Sequence, residues 1–388
     1  MGDISIETLP QIVSKCFDSL DDGHLKRTGT LWTMSANIII GMVGAEVRCR
    51  SWDIAQLGWI AGPAAILLFS FVGYYTSCLL SHCYRTGDPY TGECNSTYMD
   101  SVHSILGGAN FKACGFLQYV TLFGNAISCV VQASLSMKAI KYMNCFHENG
   151  ENSCHVLANP YMIMFGITEI LLSQIQDLDQ IRWLSIVAAV MFVAYSLIGL
   201  GLGIAQVAAS GSFKGSLTVI SDTIGSPPSE VKTMKKAISL STVVMTTIYM
   251  LCGCVGYAAF GDDTPANFLI HLGFNKPFWL LDSANSANVI HLVGAYQVNS
   301  QPIFALVEKQ ADQRWPRKMK ILVPGLGQYN MKLFRLAWRT VFVILTTVIS
   351  MLFPFVFNKD VDIVSLGFWP LMVYFPVEMY IRQKRIPK

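Results

Sequence analysis

GSFKGSLTVISDTIGSPPSEV, residues 211 to 231, decides how this chain can fold. Ahead of it, Trp183 to about Ala209 is a continuous apolar run. Behind it, KTMKKA (Lys232 to Ala237) is strongly basic and opens a second run that ends at Phe260. A helix needs about 20 predominantly apolar residues to cross roughly 30 Å of hydrocarbon. Residues 211–231 contain no apolar run longer than a few residues, so they cannot cross. Counting outward from them asks whether they have to.

Of the 388 residues, 52% are hydrophobic and only 14% charged. An ordinary soluble domain carries about 25% charged residues. With a mean hydropathy of +0.43, the chain could not cover its own core in water and reads as an integral membrane protein. The net charge of +3 gives no reason to expect a nucleic acid partner. The first 29 residues are polar, with Asp18, Asp21, Asp22, Lys26 and Arg27, and hold no apolar core of a signal peptide. They read as a cytosolic tail over residues 1–30.

About nine runs have the length of a membrane span. They are Leu31 to about Val47, Gly58 to His82, Cys114 to Ile140, Tyr161 to Ile175 and Trp183 to Ala209. The remaining ones are Ala237 to Phe260, Phe278 to Val307, Leu333 to Phe357 and Val361 to Ile381. The Tyr142–Pro160 segment has no Lys or Arg and is assigned outside. The Glu308–Lys332 segment holds Lys309, Arg314, Arg317, Lys318, Lys320 and Lys332, and the tail RQKRIPK is also basic, so both are inside. From a cytosolic N-terminus, five spans leave the chain outside at Ser210. KTMKKA wants to be inside. An odd number of crossings is missing, unless one half is inverted against its charge or a short run, the first or the fourth, does not insert.

Cys145 and Cys154 share the outside loop, where an oxidising face permits a disulfide. Asn95-Ser96-Thr97 matches the glycosylation pattern but falls on an inside loop, where it goes unused. The other cysteines sit mostly in apolar runs and read as packing residues. Cys78 with Cys83, and Cys252 with Cys254, lack histidines at metal-binding distances. No phosphate-binding glycine loop is present, and GLGLGIA (Gly199 to Ala205) reads as a packing seam. Hydrolase and kinase chemistry have no support.

Polar residues inside spans are expensive and are functional candidates by default. In the first span Ser35 and Asn37 precede Gly41 and Gly44. Such glycines can break a helix at midplane so that free backbone groups hold a substrate, or can simply allow close packing. Asp282 opens the seventh span, with Asn285 and Asn288 on its face and His291 near the edge of that face. Glu169 sits in the middle of the fourth span. A carboxylate in a low dielectric holds its proton more tightly than in water, so Glu169 and Asp282 are candidates for proton coupling. A helix-start role for Asp282 and an inter-helix hydrogen bond for Glu169 are the plain alternatives. Tyr119 and Asn125 on the third span line a cavity or bridge helices.

Several motifs in order then resemble one family. They are LKRTGTLWT (Leu25 to Thr33), IAQLGWIAGP (Ile54 to Pro63), YRTGDPYTG (Tyr84 to Gly92) and NPYMIMFGITEILLSQI (Asn159 to Ile175). SPPSEVKTMKKA (Ser226 to Ala237), YMLCGCVGYAAFGD (Tyr249 to Asp262), HLVGAYQV (His291 to Val298) and GFWPLMVYFPVEMYI (Gly367 to Ile381) complete the set. Together they resemble the plant amino acid permeases of the amino acid/auxin permease family. The resemblance implies an all-α polytopic transporter with an inverted-repeat, broken-helix core of the amino acid–polyamine–organocation type. A first repeat would span 31–209 and an incomplete second repeat 237–381. It also implies proton-coupled amino acid import across the plasma membrane, with no cofactor beyond the coupling proton. The resemblance carries a substrate-binding region onto Gly41 and Gly44, and the polar residues Asn37, Tyr119, Asn125 and Asn285 are the further candidates for substrate contact.

Three departures stand out. The family has a longer stretch, containing a helix, where this chain has Ser216 to Ser226. Relatives continue past the position of Lys388 with a final helix. Where the family is apolar and glycine-containing, this chain reads GAEVRCRSW (Gly44 to Trp52), with Glu46, Arg48 and Arg50. These charges read as a local replacement at the end of the first helix. The departures leave three products open: a working permease, a transport-inactive truncated or splice form that associates with intact permeases, and a membrane sensor that binds an amino acid without moving it.

Overall fold

A computed structural model describes residues 50–86, 93–95, 97–149, 154, 156–174, 178–211, 232–264, 278–314, 319–323, 327–331, 333–354 and 367–384. The protein is an all-α polytopic membrane protein. The helices are α1 (Arg50–Cys83), α2 (Tyr98–Leu106), α3 (Gly108–Asn149), α4 (Asn159–Ser173), α5 (Leu178–Ser210), α6 (Lys232–Phe260), α7 (Phe278–Arg314), α8 (Leu333–Leu352) and α9 (Phe375–Lys384). A π-helical turn, Phe368–Tyr374, leads into α9. Two small antiparallel pairs, Arg85–Thr86 with Glu93–Cys94 and Met319–Val323 with Gly327–Met331, are the extended pieces among the described residues.

Five of these helices are long and apolar enough to cross a membrane: α1, α3, α5, α6 and α8. The expected first span lies outside the described residues. The expected fourth span is α4, whose 15 residues rise only about 22 Å. The expected seventh, α7, carries polar residues that exclude it on composition, yet those residues are buried by neighbouring helices.

The 34 residues of α1 would stretch about 51 Å if straight. The helix bends at Gly58, where φ is 78° and ψ is 177°. That region is closed to residues with a Cβ. The bend separates residues 50–57 from the apolar part that begins with the Gly58 expected of the second span. Arg50 and Asp53 therefore lie in a short helical piece ahead of the second span. Asp53 lies in the first turn of α1, where the helix dipole favours a carboxylate. Glu46 and Arg48 lie outside the described residues.

Contacts along each helix pair fix its direction. Ser51 Oγ donates to the Cys252 carbonyl at 3.0 Å, and Tyr74 on α1 meets Ser239 on α6, so α1 and α6 are antiparallel. Asn125 and Ser136 on α3 meet Asn299 and Asn288 on α7, which makes that pair antiparallel too. Gly166 and Ser173 on α4 meet Thr347 and Arg339 on α8, again antiparallel. In contrast, Ser196 and Gly203 on α5 meet Cys252 and Val255 on α6 in the same order. Helices α5 and α6 therefore run side by side in one direction. The end of α5 and the start of α6 therefore lie at opposite ends of the bundle.

The two ends are chemically distinct. One carries the Cys145–Cys154 disulfide, whose Cα atoms are 5.9 Å apart. The other, the basic end, carries Arg335, Arg339 and the tip of α9 with Arg382 and Lys384. Near the basic end, α2 lies against Cys83, Cys114, Phe375 and Met379. Thr97, part of the glycosylation-like triplet, is engaged in the capping box that starts α2, exchanging bonds with Asp100.

Helix α7 is the centre. It packs most extensively on α3 and α5, and also touches α4 and α8. Its apolar face joins Leu292, Ala295, Tyr296, Ile303 and Phe304 to residues of those four helices in one core. At Gly294 the contact with α5 is so close that an added methyl would lie 2.4 Å from the Ala188 methyl. Gly294→Ala is therefore expected to destabilise the detergent-solubilised protein by about 1–3 kcal/mol. Gly201→Ala, with nothing within 4 Å of its added methyl, should leave the melting temperature unchanged.

Candidate functional site

Six polar residues of α7 are turned away from lipid. Asn285, Asn288, His291, Gln297, Asn299 and Ser300 are all buried. A helix this polar is tolerated in a bilayer only because its neighbours supply hydrogen-bond partners.

Those partners come from three sides. Toward α3, Asn288 Nδ2 donates to Ser136 Oγ at 2.7 Å and Asn125 Nδ2 to Asn299 Oδ1 at 3.2 Å. Toward α5, His291 Nδ1 lies 3.0 Å from the Ala188 carbonyl. A carbonyl can only accept, so the proton sits on Nδ1. The His291 ring packs on Phe192 and Tyr195. Toward α4, Gln297 Nε2 donates to Glu169 Oε2 at 2.7 Å, and Gln301 Nε2 approaches Gln297 Oε1 at 3.4 Å. Tyr296 beside them is hydrogen-bonded to Thr346 Oγ1 of α8 at 2.8 Å.

Glu169 is completely buried. Its Oε1 has no hydrogen-bond partner among the described residues. The carboxyl thus has one oxygen anchored by Gln297 and the other without a described partner.

The residues singled out from the sequence do not form one cluster. Asn125 and Asn299 meet, and Glu169 meets Gln297 nearby on α7. Asn285 donates to the Leu281 carbonyl of its own helix at 3.0 Å. Asp282 is half-buried, and 15 residues along α7 place it about 22 Å from the level of Gln297. The two carboxylates thus belong to different levels of the bundle. Tyr119 is partly buried against the central core. Asn37, Gly41 and Gly44 lie outside the described residues. A shallow cleft between α3 and α4 is lined by Met137, Ile140, Lys141, Asn144, Tyr161 and Met164, none of which was singled out.

Sequence reasoning missed the most heavily bonded charged residue in the described part. Arg339 of α8 is 2% exposed. Its Nε donates to Glu308 Oε1 of α7 at 2.6 Å, its second guanidinium nitrogen to Glu308 Oε2 at 3.3 Å, and its third to the Ser173 carbonyl of α4. The guanidinium also lies 4.9 Å from the centre of the Phe304 ring. Arg335 Nε sits 3.3 Å from Glu308 Oε2. The signal was available: two arginines four apart at the start of the eighth run, LFRLAWRTVF, share one helix face.

The Asn125–Asn299 bond is open to direct measurement. A double-mutant cycle with Asn125→Leu and Asn299→Leu in detergent is expected to give a coupling of about 0.6 kcal/mol, the usual size of an inter-helix hydrogen bond in membrane proteins.

Comparison with known proteins places this architecture. A model of the family described as transmembrane amino acid transporter protein matches residues 27–218 and 202–388. The two matches meet at residues 202–218, beside the stretch that lacks a crossing. Amino acid permease 4 of Arabidopsis thaliana is 56% identical over 423 aligned positions, covering 98% of this chain and 90% of that relative. Amino acid permease 2 of the same plant is 55% identical, covering 98% and 85%. Lysine histidine transporter-like 1, also from Arabidopsis thaliana, is 25% identical over 92% of this chain and 81% of its own length. The 423 aligned positions exceed the 388 residues available here by 35, so at least that many positions of amino acid permease 4 face gaps in this chain. By this whole-length match, the chain belongs to the transmembrane amino acid transporter family.

Proposed function

We propose that this chain follows the design of a proton-coupled amino acid importer of the plasma membrane, with Glu169 as its proton-carrying group. The observation that carries the reading is the buried Glu169–Gln297 pair, set against the central helix of a chain 56% identical to an amino acid permease. Gln297 steadies the carboxyl whether or not it is protonated, because an amide can donate to one form and accept from the other. The amino acid would lie beside α3 and α7, near Tyr119, Asn125 and Asn285, against the first span with Asn37, Gly41 and Gly44. The coupling proton is the only cofactor in this reading. The positive-inside rule sets the basic end and the N-terminus in the cytosol. The antiparallel pairing of α1 with α6, α3 with α7 and α4 with α8 supports an inverted repeat, divided as 31–209 and 237–381.

Expressed in transport-deficient yeast, the chain should take up labelled amino acids above empty vector, and more in acidic medium. Glu169→Gln should retain expression and lose the acid stimulation. Uptake equal to empty vector would sink the transport reading. Unchanged acid stimulation in Glu169→Gln would remove Glu169 from the role.

One observation favours a second reading, a transport-inactive product that associates with intact permeases. Helices α5 and α6 run in the same direction, yet the residues between them hold no spanning run. A permease lacking a crossing in its second repeat lacks one wall of the site while keeping the scaffold. Placing the additional positions of amino acid permease 4 between residues 211 and 232 is expected to restore uptake if that reading holds. Equal uptake by the chain with and without the added segment would dismiss it. Ligand binding without uptake in either form would instead support the sensor.

A further inference from the structure

Arg339 occupies the boundary between Glu169 and the basic end. Glu169 stands four residues, about 6 Å of helix rise, before Ser173 on α4. Ser173 closes that helix, at a position where a backbone carbonyl lacks an i+4 donor within the helix. Arg339 supplies a donor to the Ser173 carbonyl and places a positive charge at the negative end of the α4 dipole. The same guanidinium is held by both oxygens of Glu308 and lies over Phe304. Phe304, Ser173 and Arg339 are all buried, and the Arg339–Ser173 contact stands one helical turn from Glu169 on the side of the basic end.

A static staple would not need this chemistry. Burying an ion pair gains little over apolar packing of equal volume, so the pair is a poor device for stability alone. It is a good device for a contact that must break. Glu308 has a second cation one turn earlier on α8, Arg335 at 3.3 Å. When Arg339 lets go, Glu308 keeps a cation beside it. The last turn of α4 would be the part released. The groups facing this point are Glu169 and the Ser173 carbonyl from α4, Gln297, Gln301 and Glu308 from α7, and Arg335, Arg339 and Thr346 from α8.

We propose that Arg339, clamped between Glu308 and the last turn of α4, is a gate that closes the route between Glu169 and water at the basic end. It is a positioning residue and exchanges no proton itself. The proposal builds on the reading of Glu169 as the proton-carrying group, but its test does not use transport.

The full chain, purified in detergent, is treated with a water-soluble carbodiimide and an amine, and modified carboxyls are located by peptide mass spectrometry. In the unchanged chain Glu169 should be modified slowly. Arg339→Gln and Glu308→Gln should each raise Glu169 modification several-fold. Asp282, half-buried and about 22 Å away along α7, should stay as it was. Unchanged Glu169 modification in both single variants overturns the gate. A parallel rise at Glu169 and Asp282 also overturns it, since the pair would then hold the whole bundle together. Loss of the Glu169 role in uptake, with the gate result intact, would condemn the proton reading and leave the gate.

Discussion

A helix bearing three asparagines, a histidine, a glutamine and a serine on its buried faces cannot stand against lipid. That constraint organises the molecule. Helix α7 must be wrapped, and α3, α4, α5 and α8 wrap it. Each presents a group that α7 needs: Ser136 and Asn125, Glu169, the Ala188 carbonyl, and Thr346. Tight sites such as Gly294 against Ala188 allow the backbones to come near enough for these short side chains to meet.

The wrapped helix divides naturally into levels. Near the disulfide end lie Asp282 and Asn285, and further along come His291, the Asn125–Asn299 bond and the Glu169–Gln297 pair. At the basic end Arg339 joins α4, α7 and α8 through charge. The polar contacts become more ionic toward the end where water is close, because the cost of holding a charge falls as solvent is approached. The buried Glu169 carboxyl stands one turn from the helix end that Arg339 holds.

The parallel course of α5 and α6 is the other constraint. In a bilayer no irregular segment crosses while exposed to lipid. Two adjacent parallel helices therefore need a whole span, or a protein-lined path, between them. The two-part family match breaks at residues 202–218, beside this connection. This single connection bears on whether the scaffold is a transporter or the frame of one.

Much of this was legible in the sequence. Hydropathy gives the membrane class, because twenty apolar residues in a row have no other economical place. Charge gives the directions of the helices, and the basic KTMKKA after a stretch that cannot cross exposes the missing span. Glycine at 58 could be read as the start of a span, though only its positive φ reveals that Arg50 and Asp53 lie in a separate helical piece. The partners of the polar residues were not legible. Glu169 and Gln297 are 128 residues apart, and Arg339 lies 166 residues from Ser173. No local pattern encodes which distant group a side chain will meet, since that follows from how whole helices pack. Sequence determined what had to be buried and which way each helix ran. Tertiary structure decided who satisfies whom, because in a low-dielectric interior each polar group must find its partner wherever packing brings one.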